Sequence, residues 1–451
     1  MWWEKLKHDI LDTDLYSRSG TEVGVSEGTL QLEEYDGDYR VMKISNGDIP
    51  EAAYRASSDR FVNYPELNKE IFGQLPQSWL IGNYKKIYVG HITDEAVRRG
   101  SSSGGILSGT QLYLLRTKKI DGAVTLRMRR DKPYLTEPLI ATSEEEIMQG
   151  AQSKYTVAPM NQILSDLPGR FTSIAYTGLP EQIASIRKLQ RIHHPSVRPI
   201  SYILGMFYGE TLAFSVIPSL LRTHGRETVD DITSLAFRAG EWPGHLKIKL
   251  RSGKTISVPK FYANYLSPSH ITPYSLWQVD YMAELADIAS GDAWAPVYEE
   301  RGKGWSVVIA RTQKGLDLLE EMRAEKVLQL SEISEQELIN MHSLGLDVKK
   351  RGAFLRIARR RARGLPVPEY GYEPTNITFT RKAFEYFFGF TVWFFHLPLT
   401  IWTLEHLPVS LMGPLFVRVR KIWKRSTKTS KTRGLDTLTF RLMPLDNISS
   451  P

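Results

Sequence analysis

The chain has 451 residues, of which 42% are hydrophobic and 24% are charged, and it contains no cysteine. These proportions are those of a globular protein long enough for two or three domains. The lack of cysteine excludes disulfides, thiolate nucleophiles and cysteine-held zinc or iron–sulfur centres within this chain. The formal net charge of +8 favours an anionic ligand, a nucleic acid or an anionic membrane surface as partner. Charged residues at positions 4, 5 and 7 argue against a signal peptide, so we expect a cytoplasmic protein.

Residues 1–84 are polar and rich in turns, which predicts an irregular segment with short strands. Residues 85–200 alternate short apolar runs with helix-like segments. That alternation predicts an α/β fold whose core is a mixed, mostly parallel sheet. The predicted strands are 86–90, 123–128, 155–157 and 172–176, and the predicted helices are 106–115, 143–150, 159–167 and 180–190.

Three loops in this region lead into helices, where sheets of this kind bind their ligands. The first is Arg99 followed by the Gly/Ser run 100–105, which combines backbone N–H groups, a helix dipole and hydroxyls suited to a phosphate. Its alternative is a flexible surface loop. The second is Ser153-Lys154-Tyr155. The third is the turn 176–182, where Gly178 gives a permissive backbone and Pro180 begins a helix; each loop taken singly is also explained as an ordinary turn.

Residues 201–370 predict a second α/β or α+β region that ends in a basic helix over 349–363. A hairpin is predicted from 246–250 and 255–258, a buried strand over 305–310 and an amphipathic helix over 315–326. Asp287 and Asp292 are candidate acid/base groups or metal ligands, or else loop carboxylates and helix caps. The basic helix suits an anionic lipid or nucleic acid, and its alternative is a solvated helix face.

Residues 371–425 form an apolar, aromatic segment in which the run 386–404 contains no Asp, Glu, Lys or Arg. That run is barely long enough to span a bilayer, and Pro398 breaks it. Basic residues on both flanks put both ends on the cytoplasmic side. We therefore predict a re-entrant or interfacial hairpin, peripheral or monotopic on an anionic cytoplasmic membrane face, rather than nucleic-acid binding. The alternative is a helix pair packed on the protein. Residues 426–451 are predicted to be disordered.

Several short motifs occur in the order in which they stand in one known family. Together they resemble the coenzyme F-420 hydrogenase/dehydrogenase beta-subunit family over roughly residues 20–370. The motifs are Arg99…Ser102-Ser-Gly-Gly105, Ile120-Asp-Gly-Ala123, Ala151-Gln-Ser-Lys-Tyr155, Thr177-Gly-Leu-Pro180…Gln182, Leu204-Gly-Met-Phe207, Glu284-Leu-Ala-Asp-Ile288…Gly291-Asp-Ala-Trp294 and Gly302-Lys-Gly304.

The resemblance implies a flavoprotein that binds FAD and exchanges hydride with a soluble carrier, coenzyme F-420 or NAD(P)H. It implies that the FAD pyrophosphate rests on Arg99, Ser102, Ser103, Gly104 and Gly105. It places Ser153, Lys154, Tyr155, Gly178, Leu179, Pro180 and Gln182 beside the cofactor. Lys154 would stabilise negative charge on the reduced ring. Glu181 would donate a proton, unless it is an ordinary first-turn carboxylate.

The departures from the family pattern concern its iron–sulfur ligands. No cysteine cluster stands within residues 10–60, and the remaining cysteine positions hold Glu181, Tyr208, Ser275 and Gln278. Because clusters are held by thiolates and carry single electrons, we expect no iron–sulfur cluster and a flavin that performs both half-reactions.

Two functions follow as hypotheses. The first is an FAD-dependent oxidoreductase that transfers hydride between a soluble carrier and an unknown substrate, with a redox partner protein as a further candidate. The second is a redox-inactive binding or assembly subunit at the membrane, as in surface-polysaccharide biosynthesis. The three loops favour the enzyme, on the expectation that packing alone does not require their glycines.

Overall fold

The computed structural model describes residues 1–225, 227–299, 303–432 and 434–444. The first part of the chain holds one hairpin and four short helices, three of which have only four or five residues. The elements are α1 (Trp2–Leu6), which continues as a π-helical turn (Lys7–Leu11), α2 (Thr21–Gly24), β1 (Leu30–Tyr35), β2 (Asp38–Lys43), α3 (Glu51–Arg55) and α4 (Tyr64–Phe72). The predicted short strands are present, and the helices were missed.

The next part of the chain builds most of the central sheet. Its elements are β3 (Lys86–Ile92), α5 (Glu95–Gly100), α6 (Ile106–Arg116), β4 (Gly122–Met128), β5 (Thr136–Ala141), α7 (Glu144–Gln149), a 3-10 helix (Met160–Asp166), β6 (Ile174–Gly178), α8 (Pro180–Arg191), a 3-10 turn (Pro195–Val197) and β7 (Ile200–Met206). The strand predicted over 155–157 is wrong, since only Thr156 forms an isolated bridge, to Leu212. The helix predicted over 159–167 is a 3-10 helix.

A separate three-stranded sheet is inserted between β7 and the next strand of the central sheet. The insertion comprises α9 (Val216–Arg222), a 3-10 turn (Val229–Asp231), β8 (Ile232–Ala239), β9 (His245–Leu250), β10 (Thr255–Pro259), α10 (Lys260–Ala263), α11 (Ser267–His270) and α12 (Pro273–Trp277). The predicted hairpin is present as β9 and β10, which pair antiparallel with Ile256 opposite Ile248. Its alternating residues bury one face, as the pattern of period two requires.

The chain then completes the central sheet with β11 (Ile288–Asp292), β12 (Ser306–Ala310), α13 (Gln313–Ala324), β13 (Leu328–Glu332) and α14 (Glu335–Asp347). The strand order is β13-β3-β12-β11-β7-β6-β4-β5. Three of the pairings are parallel and four are antiparallel. The predicted mixed α/β core is confirmed.

Five strands of this sheet run in the same direction, so their carboxyl ends meet at one edge. These are β3, β4, β6, β7 and β11, which end at Ile92, Met128, Gly178, Met206 and Asp292. One apolar cluster covers one face of the sheet and reaches from Leu6 to Leu435. A second covers the other face. The edge formed by the carboxyl ends is where a ligand site is expected.

The rest of the chain is helical. It comprises a π-helical turn (Val348–Ala353), α15 (Phe354–Arg361), β14 (Tyr372–Pro374), α16 (Phe379–Phe395), α17 (Pro398–His406), α18 (Val409–Thr432) and β15 (Phe440–Leu442). The region predicted as disordered therefore contains the end of α18 and a strand that pairs with β14. Residues 445–451 lie outside the described residues.

The helices α16 and α17 bend by 67° at their junction. In the parts of the chain that the structure describes, no single helix is long and apolar enough to cross a membrane, although this bent pair satisfies the length and composition together. The solvated face that one alternative held for the basic helix is wrong for its first half, since Lys349, Lys350, Arg351 and Arg356 are buried, whereas Arg361 and Arg363 are exposed. The four buried residues lie in ion pairs and carbonyl contacts that the sequence pattern does not show.

Candidate active site

The Gly/Ser loop joins two helices at the end of β3, because α5 stands between the strand and the loop. The loop is fixed by backbone contacts to β3 and β12: the Ile92 N–H donates to the Gly104 carbonyl at 2.8 Å, and the Gly104 N–H donates to Ser306 Oγ at 2.9 Å. Ser103 Oγ donates to the Trp305 carbonyl at 2.6 Å. Ser102 Oγ accepts from the Ser153 N–H at 2.6 Å. The first two predicted loops are therefore in direct contact.

Both glycines of the loop have packing roles. A Cβ on Gly104 would lie 2.6 Å from the Gly90 carbonyl oxygen. Gly105 adopts φ +75 and a Cβ there would lie 2.8 Å from Ile92. The expectation that packing does not require these glycines is wrong. Gly105 is also the N-cap of α6 and brings no side chain to the first-turn N–H groups, which remain suited to an anion.

Arg99 points away from the loop. Its side chain is 59% exposed and lies 3.3 Å from Glu241 and 3.6 Å from Glu95. The neighbouring Arg98 is the buried one: its Nε donates to the Gly304 carbonyl at 3.0 Å, and its guanidinium lies 5.3 Å from the Trp305 ring centroid. The motif Gly302-Lys-Gly304 is described only in part, since Gly302 lies outside the described residues.

Lys154 is held by the end of α7. Its Nζ donates to the Gly150 carbonyl at 2.8 Å and to the Ala151 carbonyl at 2.7 Å. Burial lowers the pKa of Lys154 to about 7. The ammonium therefore titrates in the neutral range, and its two carbonyl partners fix its position.

Tyr155 lies in a recess at the edge of the sheet, between the Gly/Ser loop and the inserted sheet. We call recess the cluster of Tyr155, Arg238, Lys260 and Asp292, whose groups interact electrostatically and which borders an open pocket at Tyr155 and Lys260. Arg238 Nη1 donates to Asp292 Oδ2 at 3.1 Å. Burial raises the pKa of Asp292, but Arg238 and Lys260 outweigh it and leave the pKa below its usual value. Burial likewise raises the pKa of Tyr155, and Lys260 and Arg238 bring it below its usual value.

Aromatic rings line the rest of this recess. The Lys260 ammonium lies 5.5 Å from the centroid of the Tyr155 ring, 5.9 Å from that of Phe261 and 5.7 Å from that of Trp294. Trp242 packs against Trp294 at 5.8 Å and approaches Asp292 with its indole N–H at 3.4 Å. Cations and flat rings around one space suit a planar, anionic ligand.

The third loop supports the start of α8. Gln182 Oε1 accepts from the Leu179 N–H at 2.8 Å, and Gln182 Nε2 donates to the Ala158 carbonyl at 3.4 Å. A Cβ on Gly178 would lie 2.5 Å from the Tyr176 ring. Pro180 is the first residue of α8, where its missing N–H has no cost. Residues 153–158 thus bridge the first and third loops.

Asp287 is structural. Its carboxylate accepts from the Ile203 N–H at 2.8 Å and pairs with Arg187 at 3.2 Å and Lys314 at 3.1 Å. These contacts join β7, α8 and α13 to the turn before β11, so Asp287 is a buried carboxylate with a structural role and not an acid/base group or an exposed loop carboxylate. No group of His, Asp or Glu side chains within the described ranges is arranged to hold a metal ion.

The comparison with known proteins decides the family. The model of the coenzyme F420 hydrogenase/dehydrogenase beta subunit N-terminus matches residues 87–165, and that of its C terminus matches residues 171–336. The chain belongs to the coenzyme F420 hydrogenase/dehydrogenase beta-subunit family. The matched residues include all eight strands of the central sheet apart from Lys86, the three loops and the recess.

Curated relatives agree with this. The chain is 27% identical over 295 residues to the coenzyme F420 hydrogenase subunit beta of Methanococcus voltae, covering 64% of this chain and 99% of that one. It is 24% identical to the coenzyme F420-dependent sulfite reductase of Methanocaldococcus jannaschii, covering 55% of this chain and 39% of that one. A chain of the F420-reducing [NiFe] hydrogenase complex from Methanosarcina barkeri shares the fold, with a TM-score of 0.51, 20% identity and coverage of 64% and 97%.

The positions that the family resemblance aligns with cluster cysteines lie together in one buried polar cluster. Tyr208 Oη and Ser275 Oγ are 2.7 Å apart. Lys349 Nζ donates to the Ser275 carbonyl at 2.8 Å and lies 4.4 Å from the Tyr208 ring centroid. Gln278 Nε2 donates to Tyr274 Oη at 2.9 Å. In this member of the beta-subunit family, the side chains at these positions form hydrogen bonds within the cluster.

Glu181 faces the same cluster and not the recess. Its side chain is buried, and Oε2 has no hydrogen-bond partner. Burial raises the pKa of Glu181 to about 8, with Asp59 raising it further and Lys349 lowering it. At neutral pH Glu181 therefore holds its proton, as a donor must. Phe207, which precedes Tyr208 in the chain, packs on Tyr281 at 5.9 Å and against Gly291, which precedes Asp292. The cluster and the recess are therefore neighbours.

Sequence analysis missed Arg238, Lys260 and Trp242 as members of the recess. They come from the inserted sheet and α10, about a hundred residues beyond Tyr155. The only sequence signal was the pairing of aromatic and basic residues in Lys260-Phe-Tyr262 and Trp294, which gives no indication of where the insertion folds back.

Proposed function

We propose that the chain is an FAD-dependent oxidoreductase that transfers hydride between a soluble carrier and an organic substrate without an iron–sulfur cluster. The recess of Tyr155, Arg238, Lys260 and Asp292 carries this proposal. It lies at the carboxyl ends of the parallel strands, and it combines flat rings with cationic groups in a chain of an oxidoreductase family. The relatives named for coenzyme F420 make that deazaflavin the first candidate carrier, with NAD(P)H as the second.

The residues present fit a dinucleotide flavin. The first turn of α6 and the hydroxyls of Ser102 and Ser153 would receive the pyrophosphate. Tyr155 and Trp294 would contact the ring system, and Lys260 would hold negative charge. Bound there, FAD would accept and donate an electron pair as hydride. Lys154, Gly178, Leu179, Pro180 and Gln182 would support this site through the backbone contacts of their loops.

A spectrum of the purified chain tests the proposal. We expect absorption bands of an oxidised flavin after incubation with FAD, and bleaching of these bands by reduced coenzyme F420 or by NAD(P)H under anaerobic conditions. Lys260→Ala should weaken FAD binding by about tenfold or more, because a partly buried cation–anion contact contributes roughly 1.5–3 kcal/mol. Lys69→Ala, an exposed lysine on α4, is the control. A chain that stays colourless at saturating FAD would contradict the flavoenzyme.

A redox-inactive binding or assembly subunit is the second candidate. It is favoured by one observation: Gly104 and Gly105 are explained by packing against β3, so their presence does not require a cofactor. Curated relatives named as hydrogenase subunits make a protein partner the natural ligand of such a chain. The same spectrum separates the two functions.

We further propose that α16, α17 and α18, called the tail helices, bind an anionic membrane surface on its cytoplasmic side. Of the 20 exposed large hydrophobic side chains in the described residues, 12 lie between Phe379 and Ile422. On α18 they fall at Leu411, Leu415, Val419 and Ile422, the spacing of one helix face.

Vesicle flotation tests this surface. The full chain should float with vesicles containing phosphatidylglycerol, and the double variant Phe390→Ser/Trp393→Ser should lose about thirtyfold or more in partitioning, because each exposed aromatic side chain that enters the interface contributes roughly 1–2 kcal/mol. The double variant Tyr35→Ser/Ile44→Ser removes two exposed apolar side chains of the N-terminal hairpin and should float as wild type does. A wild-type chain that remains at the bottom of the gradient would overturn the proposal.

A further inference from the structure

An apolar pocket opens beside the recess. Its empty space, including the open mouth, is about 460 Å³. Most of its wall is aliphatic or aromatic, and its only charged residue is Lys260, which stands beside Tyr155. The wall residues used here are Ile217, Leu220, Phe237, Leu246 and Leu266. The pocket thus offers an apolar interior and a cationic end.

The charges around the recess leave a positive balance at that end. Asp292 is paired with Arg238. Lys260 lowers the pKa of the Asp292 carboxyl and of the Tyr155 hydroxyl, but its ammonium forms no direct ion pair with a carboxylate in the described part of the chain. Arg420 from α18 lies 5.6 Å from the Phe261 ring centroid and interacts with Glu210, whose pKa is raised by burial. The group that complements this end is an anion.

The pocket wall is continuous with the tail helices. The apolar cluster that contains Ile217, Leu220 and Leu266 also contains Leu404 and Val409, with Met412 and Phe416 packed on it. Helix α10, which carries Lys260 and Phe261, lies against α18 so closely that a Cβ on Gly413 would be 2.7 Å from Tyr262. Arg222 on α9 holds Glu405 on α17 through two hydrogen bonds, of 2.7 and 2.5 Å.

The helices that carry the exposed apolar side chains therefore also pack against the apolar cluster that forms the pocket wall. A ligand with a long apolar chain would contact apolar side chains both at the exposed surface of these helices and on the pocket wall, and such contacts favour transfer from a bilayer. A small soluble anion would gain nothing from contact with the aliphatic wall of the pocket.

We propose that the recess takes an amphiphilic substrate, an anionic head group on an apolar chain, and that it receives this substrate from the membrane surface. The head group lies at Lys260, next to the ring system that Tyr155 and Trp294 would contact, and the first part of the apolar chain lies in the pocket. That the bound amphiphile is a substrate rests on the proposed function, but binding of the amphiphile requires neither flavin nor turnover.

The test uses the full chain in phosphatidylcholine nanodiscs and dodecyl phosphate that carries a diazirine at the end of its chain. After irradiation, mass spectrometry locates the labelled residues. We expect labels on the pocket wall, at Ile217, Leu220 or Leu266. Lys260→Gln should reduce this labelling about tenfold, the effect of losing one charge contact of roughly 1.4 kcal/mol, and Lys69→Gln should leave it unchanged. Ile217→Trp should block the pocket, with circular dichroism confirming that the variant is folded.

Three results would overturn the inference. One is labelling confined to the exposed faces of α16, α17 and α18, which shows adsorption alone or a surface for another protein. Another is equal competition by millimolar inorganic phosphate, which shows a site for the head group only. The last is no difference between Lys260→Gln and wild type. Pocket labelling in a chain that binds no FAD would contradict the flavoenzyme and leave the amphiphile site standing. A flavin spectrum without pocket labelling would contradict the amphiphile site and leave the flavoenzyme standing.

Discussion

Replacing Asp347 by alanine is expected to lower the free energy of unfolding by about 3–5 kcal/mol, because removing one member of a buried ion network leaves charge uncompensated. The Asp347 carboxylate is fully buried at the end of α14. It accepts from Arg351 Nε at 2.7 Å and from Arg381 Nε at 2.8 Å. Arg381 also donates to Glu385 at 2.7 Å, so the network joins α16 to the end of α14 and to the π-helical turn that follows it.

Urea denaturation followed by circular dichroism measures this effect. The matched control is Asp14→Ala, which removes the mostly exposed partner of Arg360 and should change the free energy of unfolding by less than about 1 kcal/mol. We also expect trypsin to cleave the Asp347→Ala variant faster before α16, since the helix loses its anchor. Equal stabilities for the two variants would show that the network contributes no more than a surface pair.

Substituting Glu181 by glutamine should change how stability depends on pH. Burial raises the pKa of Glu181 to about 8 in the folded chain, whereas an unfolded glutamate titrates near 4.3. Between these values the folded chain retains a proton that the unfolded chain releases. The wild type should therefore lose stability as pH rises from about 5 to 8, by roughly 2–4 kcal/mol relative to Glu181→Gln.

Thermal or urea unfolding at pH 5, 6, 7 and 8 measures the difference between the two chains. Asp59 and Lys349, whose pKa values burial moves to about 7, titrate in the same range and interact with Glu181, so the difference reports the Glu181 carboxyl together with its effect on these two groups. Glu4→Gln, at an exposed position of α1, should run parallel to wild type. Parallel curves for Glu181→Gln as well would show that Glu181 is ionised in the folded chain, and its role as a proton donor would be withdrawn.

The local elements of the sheet region were predictable because short-range signals set them. Helix α6 was predicted over 106–115 and observed over Ile106–Arg116, since Gly105 and the following apolar residues define its start. The hairpin of β9 and β10 followed from strict alternation. The 3-10 helix Met160–Asp166 was mistaken for an α-helix, because the two differ in hydrogen bonding and not in composition.

The candidate site was predictable only in part. Loop motifs led to Ser102, Ser153 and Tyr155, which the structure places side by side. They singled out Arg99, which is exposed beside Glu241, and not Arg98, which is buried against Gly304, because the two arginines are adjacent in sequence and only the packing of α5 distinguishes them. Lys260 and Arg238 depend on how the inserted sheet folds back onto the edge, which no local pattern records.

The sequence by itself determined the alternation of strands and helices, the family, the lack of thiolate ligands and the apolar composition of the tail, since each depends on residue type and spacing. Only the tertiary structure decided which charges are buried. The basic run Lys349-Lys-Arg351 has the pattern of a solvated or lipid-binding helix, yet it lies inside the protein beside Ser275, Glu284 and Asp347. Burial of a cation depends on distant partners that satisfy it, and these are brought together only by the fold.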